Sequence, residues 1–281
     1  MKKNFRNFLS GSKRISPNMA QIYVDYPHRN TTIIKQGEKW VFKEVNNKKI
    51  QEIEYEVQKM LYPTQNVPLC KDYCNDGYWE EFIFGDQINQ LSLTSKNIKS
   101  IARALREIHS YPIYTSVRNL LTTPLVKKGK YLPLKVYSLI TQDYQNFVSK
   151  YVDTQKIETY AERLDFKLKE IPYDLSIIHG DLSGNNVIID RENRVKIIDW
   201  TDCRIDIGAC DVVQFFYHTN IDLKLRNDFL VEYNSPLCFE LMFKIQLIFL
   251  QLYDFINEYR KTTIVNHTLV EKINNSLDLL Q

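Results

Sequence analysis

The stretch 177–200 reads IIHGDLSGNNVIIDRENRVKIIDW and gathers the side chains best suited to chemistry. His179, Asp181 and Asn186 sit in a polar loop, and Asp199 follows the next apolar run. Magnesium is a hard cation that takes oxygen ligands, commonly one or two carboxylates together with phosphate and water. The Asn186 amide oxygen and the Asp199 carboxylate offer such ligands, while Asp181 is a loop carboxylate able to accept the proton of an attacking hydroxyl. The set can bind magnesium and deprotonate a hydroxyl.

The elements that must position these groups are short. Ile177-Ile178, Val187–Ile189 and Val195–Ile198 are apolar, β-branched runs bounded by Gly, Asn, Asp and charged turn residues, the pattern of strands with tight connections. Loops on such a scaffold are where reactive side chains concentrate. Upstream, strands are expected at Gln21–Tyr26, Thr31–Lys35 and Lys39–Val45, followed by a helix over Lys49–Leu61 and a strand over Tyr78–Phe84. Lys43 shares a strand face with Val41 and Val45, which is unusual for a purely solvated lysine. Ile50, Ile53, Val57, Met60 and Leu61 form the expected buried stripe of the helix, and Glu52 and Glu56 beside it could reach Lys43. A strand lysine fixed by a helix glutamate can clamp phosphates.

After Gly85 the pattern turns helical. Ser95–His109 carries Ile98, Ile101, Ala102, Leu105 and Ile108 on one face, with Thr94 or Ser95 as N-cap. Further helices are expected near Pro133–Tyr151, Gln155–Glu170, Val212–His218, Leu223–Tyr233, Pro236–Tyr259 and Thr268–Leu280. This is an α+β chain with a β-rich lobe over 1–85 and a larger, mainly helical lobe over 86–281. The segment 111–172 is long enough to form a helical insertion over the cleft.

Composition limits the alternatives. A net charge of +3 over 281 residues gives no footprint for nucleic acid or a membrane surface. The five cysteines, Cys70, Cys74, Cys203, Cys210 and Cys238, form no C-x-x-C pair for zinc and read as thiols of a reducing cytoplasm. The basic N-terminus lacks the apolar core of a signal peptide. Leu241–Ile256 is apolar but broken by Lys244, Gln246, Gln251 and Asp254, and it is shorter than a membrane span, so a core helix is expected.

The pattern His179-x-Asp181-x-x-x-x-Asn186, with Asp199 thirteen residues later, resembles the aminoglycoside phosphotransferase/choline kinase-like group of the protein-kinase-like fold. Lys43, Glu56, the hinge-like Glu81-Phe82-Ile83-Phe84-Gly85 and the helix ending in Ile108-His109 fit in order. The resemblance implies a bilobal fold with Asp181 as catalytic base, Asn186 and Asp199 as magnesium ligands, and Lys43 on the α/β-phosphates. It implies that Glu56 pairs with Lys43, with Glu52 as the alternative, and that the backbone of Glu81, Phe82 and Ile83 faces adenine. His179 would hold the loop and Asp211 would brace it. The cofactors implied are ATP, with GTP as the alternative, and Mg²⁺.

Two departures narrow the acceptor. The connection Pro27–Asn30 has no glycine where protein kinases carry a Gly-rich cover, and Asp199-Trp200-Thr201 replaces DFG with no APE after it. A small-molecule alcohol is therefore expected rather than a protein. An aminoglycoside-type antibiotic is the leading expectation, needing acids such as Asp202, Asp206, Glu232, Asp254 or Glu258. A choline-, thiamine- or sugar-type metabolite is the alternative, with aromatic residues near Phe215–Tyr217 and Phe239–Tyr259 available as a cage. A kinase-like protein without turnover is the third.

Overall fold

The computed structural model describes residues 30–35, 38–43, 47–121, 126–127, 130–131, 133–170, 175–219, 221–234 and 239–280. The strand expected at Gln21–Tyr26 and the connection Pro27–His28–Arg29 lie outside them. A four-stranded antiparallel sheet comes first, in the order β1-β2-β4-β3 (β1 Asn30–Lys35, β2 Glu38–Lys43, β3 Cys70–Cys74, β4 Gly77–Glu81), with helix α1 (Lys48–Leu61) between β2 and β3. Val41 lies opposite Glu80 and Lys43 opposite Tyr78, while Cys70 lies opposite Glu80 from the other side. Opposed residues share a sheet face, so Val41, Lys43, Cys70, Tyr78 and Glu80 point the same way, and all five are buried.

Helix α1 starts where the Asn47 side chain accepts from the amides of Lys49 and Ile50. Its phase differs from the expected stripe. Val57, Met60 and Leu61 are buried as expected, but Ile50 and Ile53 are only half-buried, and Gln51, Glu54 and Gln58 are buried in their place. The reason is that these polar groups find partners inside: Gln51 donates to the Cys74 carbonyl at 3.2 Å, and Gln58 to Glu80 at 2.9 Å. A buried polar group with a partner loses little, so the helix can turn this face inward.

The chain leaves this sheet at Phe82–Phe84, which are not strand, and β5 (Gly85–Gln87) joins a second sheet ordered β10-β9-β5 (β9 Val187–Asp190, β10 Val195–Ile197). Helix α2 (Ser95–His109) is closed by a capping box between Thr94 and Asn97. Its Ile98, Ile101, Ala102, Leu105 and Ile108 are fully buried, each large side chain contributing about 1.5–3 kcal/mol. Next come α3 (Thr115–Leu120), the two-residue strands β6 (Val126–Lys127) and β7 (Lys130–Tyr131), α4 (Pro133–Thr141), α5 (Gln145–Val148) and α6 (Thr154–Lys167). The single helix expected over Pro133–Tyr151 is thus two. The Thr141 hydroxyl bonds back to the Tyr137 carbonyl and the Tyr144 amide closes a turn onto the Thr141 carbonyl, which ends α4.

The stretch 177–200 then supplies β8 (Leu175–Ile178), β9 (Val187–Asp190) and β10 (Val195–Ile197). Strand β11 (Arg204–Ile207) returns antiparallel to β8, placing Arg204 opposite Ile178. Four helices complete the fold: α7 (Ala209–Thr219), α8 (Leu223–Tyr233), α9 (Phe239–Thr262) and α10 (His267–Asp278). Helix α9 buries Met242, Ile245, Ile248, Phe249, Leu252, Phe255 and Ile256, as a core helix should. No described helix is long and apolar enough to cross a membrane.

Candidate active site

Lys43 is the meeting point of the two parts of the fold. Its ammonium pairs with Glu54 of α1 and, at 3.0 Å, with Oδ1 of Asp199 from beyond β10. Glu54, not Glu56, is therefore the helix partner. Glu56 lies half-exposed on the outer side of α1, 4.0 Å from Lys59, and Glu52 is exposed. One turn of a helix is 3.6 residues, so a helix that buries position 54 turns 52 and 56 away. Burial opposes the Lys43 charge, but Glu54, Glu80 and Asp199 together hold it well above the usual lysine range. Burial pushes Glu80 up to about 7, against the pull of Lys43 and with Glu54 adding to the rise.

Asp199 has a backbone φ of 64°, a left-handed conformation that non-glycine residues seldom adopt, and its carboxylate is half exposed to the cleft. Its Oδ1 accepts from both Lys43 and the Thr201 hydroxyl, leaving Oδ2 without a protein partner among the described residues. Partial desolvation is outweighed by Lys43, which keeps the Asp199 carboxyl below the ordinary range. Beside it, where the Ile198 amide donates to the Asn186 carbonyl at 3.0 Å, the Asn186 amide nitrogen donates to the Asp181 carbonyl at 2.8 Å. That contact fixes the flip of the amide, so Oδ1 of Asn186 is its remaining group. The two oxygens are a hard donor set of the kind magnesium takes with phosphate and water. No group of three or more His, Cys, Asp or Glu able to hold a metal occurs among the described residues.

The loop between β8 and β9 is tied down from several sides. Nε2 of His179 donates to the Ile198 carbonyl at 2.8 Å, and its Nδ1 accepts from the Asp181 amide at 3.3 Å. The ring is fully buried against Trp200, so it holds the loop and offers no proton to the cleft. Gly180 has φ +85°, and a Cβ there would come within 2.2 Å of the Asp202 carbonyl, so only glycine fits. Asp211 of α7 accepts from the amides of His179 (2.7 Å) and Gly180 (3.0 Å) and from Nε2 of His109 (3.1 Å). Burial alone would raise the Asp211 carboxyl, but the His109 hydrogen bond and charge bring it below the ordinary range. Gln214, one turn further along α7, donates to the Gly180 carbonyl and accepts from the Leu182 amide. Its i+3 spacing from Asp211 was the available signal for that role.

The Asp181 side chain is left accessible at the loop tip. Partial desolvation raises its carboxyl, with Asp202 and Asp199 adding to the rise and His179 and His218 opposing it. A cavity of about 500 Å³ opens beside it, with Asp202, Asp254, Phe249 and Tyr253 among its walls and Val136 and Ile140 contributed by α4. Asp254 also borders a second hollow of about 450 Å³, together with Tyr217 and Glu258. Of the other acids considered, Asp206 is fully buried beside Arg204, and Glu232 pairs with Arg103 at 3.7 Å. Phe215 and Phe216 are core residues.

The hinge-like residues lie where β4 ends. The Glu81 amide donates to the Leu69 carbonyl, and its side chain accepts from the Leu69 amide at 3.2 Å. Phe82 and Phe84 meet edge to face, and the Ile83 side chain is buried. Neither the N–H nor the C=O of Ile83 has a partner among the described residues.

The sequence model for choline/ethanolamine kinase matches residues 38–275. The chain belongs to that family. It is a small-molecule phosphotransferase with an alcohol group as acceptor, on a kinase-like fold. Among solved structures it is similar to the choline kinase LicA from Streptococcus pneumoniae, at 16% identity and a TM-score of 0.60, covering 93% of this chain and 92% of that one. A Plasmodium vivax ethanolamine kinase matches at 14% identity and a TM-score of 0.59, covering 93% of this chain and 82% of that one. Spectinomycin phosphotransferase APH(9)-Ia in complex with AMP matches at 14% identity and a TM-score of 0.58, with 91% of each chain covered. No curated protein sequence matches this chain.

Proposed function

We propose that this enzyme moves the γ-phosphoryl group of ATP, held with Mg²⁺, to a hydroxyl of a small amine-bearing acceptor. The observation that carries the reading is the ion pair between Lys43 and Asp199, which joins the two sheets at the edge where Asp181 borders the 500 Å³ cavity. In this reading residues 1–85 are the nucleotide lobe and 86–281 the catalytic lobe, with the 111–172 insertion bearing on the acceptor through Val136 and Ile140. Lys43, set by Glu54, takes the α/β-phosphates, and the backbone at Glu81, Phe82 and Ile83 takes the base edge. Asp181 receives or orients the acceptor proton. Asn186 and Asp199 would hold the magnesium ion, which when bound neutralises charge on the phosphates. Similar structures solved with AMP or with ADP support nucleotide use.

Asp202 and Asp254 suit a positively charged acceptor. The neighbouring hollow beyond Asp254 gives room for more than one ring, which favours an aminoglycoside-type acceptor. The family match and the Phe249–Tyr253 wall support choline or ethanolamine as the second reading. An ATP-consumption screen over aminoglycosides, choline, ethanolamine, thiamine and sugars tests both. Acceptor-dependent ADP release is expected, and nucleotide binding without it would identify a kinase-like protein that does not turn over.

The Lys43 partner is separately testable. Glu54→Gln is expected to lower kcat/KM by about tenfold or more, the scale of one charge-assisted hydrogen bond. Glu56→Gln should stay within about twofold, since an exposed pair contributes little. Equal losses in the two variants would reject the Glu54 assignment.

A further inference from the structure

One cation stands in the acceptor cavity without an assigned task. Arg204, at the start of β11, lines the same 500 Å³ cavity as Asp181. Its Nε donates to Asp206 at 3.3 Å, and that carboxylate is fully buried and fixed by the Ile207 amide at 2.9 Å. The two terminal nitrogens have no hydrogen-bond partner among the described residues, and no carboxylate other than Asp206 lies within ion-pairing distance. Nη1 stands 2.7 Å from where a Cβ on residue 180 would be, so the guanidinium occupies space that Gly180 leaves open, one residue from Asp181. A side chain held from behind through Nε, with its outer edge bare, presents the fork that matches a planar or tetrahedral oxyanion.

The bland account is a structural pair between Arg204 and Asp206. It explains Nε; the terminal nitrogens belong to a guanidinium about one quarter exposed in the cavity wall and have no protein acceptor among the described residues.

We propose that Arg204 is a specificity-determining residue that binds an oxyanion entering the acceptor cavity, with Asp206 holding its guanidinium in position. Two sources share that chemistry: the phosphoryl group once it sits on the acceptor oxygen, and a carboxylate carried by the acceptor itself. The proposal rests on this cavity receiving the acceptor. It predicts that a purely cationic wall partner is not the whole of recognition here, because Arg204 repels an amine and selects the end of the acceptor that carries negative charge.

The test is direct binding of inorganic phosphate and of acetate to the ADP-saturated full chain, by titration calorimetry, in wild type, Arg204→Gln and Arg204→Lys. Wild type should bind phosphate, Arg204→Gln should bind it about 10- to 100-fold more weakly, and Arg204→Lys should fall between. Acetate binding that is lost in the same variants points to an acceptor carboxylate, and phosphate binding alone points to the transferred group. Equal phosphate affinity in wild type and both variants, or none in wild type, overturns the proposal. Retained ADP binding reports that each variant is folded, and if Arg204→Gln fails that check, Arg204→Lys carries the comparison. Because no turnover is read, failure here is distinct from failure of the phosphotransfer reading, which the ATP-consumption screen decides.

Discussion

Asp181→Ala is expected to leave the protein folded and able to bind nucleotide while lowering kcat by at least about 10²–10⁴-fold. The separation of effects follows from how the loop is built. Asp181 contributes to the loop only through its backbone: its amide donates to His179, and its carbonyl accepts from Asn186. The carboxylate makes no hydrogen bond to the protein among the described residues, so its removal leaves those ties intact. What is lost is the group that takes or directs the acceptor proton, together with part of the alignment of that hydroxyl. Desolvation also raises this carboxyl. A base works deprotonated, so the rate should climb as pH rises through its value, and that limb should vanish in Asp181→Ala. Wild-type turnover in the variant would remove Asp181 from the chemistry.

Asp211→Ala is expected to have the largest effect on stability, about 3–5 kcal/mol. The carboxylate is fully buried and satisfies three donors: the amides of His179 and Gly180 and the ring of His109. Truncation strands all three donors away from water, and each stranded group costs a large part of its desolvation. Denaturant unfolding in wild type and variant reads the difference, and a change under about 1 kcal/mol would contradict the bracing role. The sign with pH is also fixed. The folded-state value of Asp211 is depressed, so its stabilisation is present above the unfolded value and is lost as pH falls through the folded one. Asp211→Asn should therefore flatten the acid side of the stability curve.

How legible the protein was depended on distance along the chain. His179, Asp181, Asn186 and Asp199 lie within one run, and short apolar strands around them left few ways to arrange the loop. The helix Ser95–His109 was readable to the residue because cap and apolar period agreed, whereas Leu223–Tyr233 took its expected range with little apolar period, Leu223 and Val231 both being exposed. The Lys43 partner was not. Choosing between Glu52, Glu54 and Glu56 needs the phase of α1, and the apolar stripe gave the wrong one because Gln51, Glu54 and Gln58 are buried against polar partners on β3, β2 and β4 respectively. Periodicity counts such residues as solvent-facing, and only the sheet register brings Lys43 and Glu80 to that face. Arg204 was invisible for a related reason. In sequence it is one charge beside Asp206, and the pairing of β11 with β8 is what sets it over Gly180.

Transfer of the phosphoryl group to an acceptor oxygen is the central claim. With γ-labelled ATP, Mg²⁺ and an acceptor taken from the screen, wild type should place the label on an acceptor oxygen in step with ADP release, and Asp181→Ala should place almost none there. Label found only as inorganic phosphate, with the acceptor recovered unmodified, would contradict it.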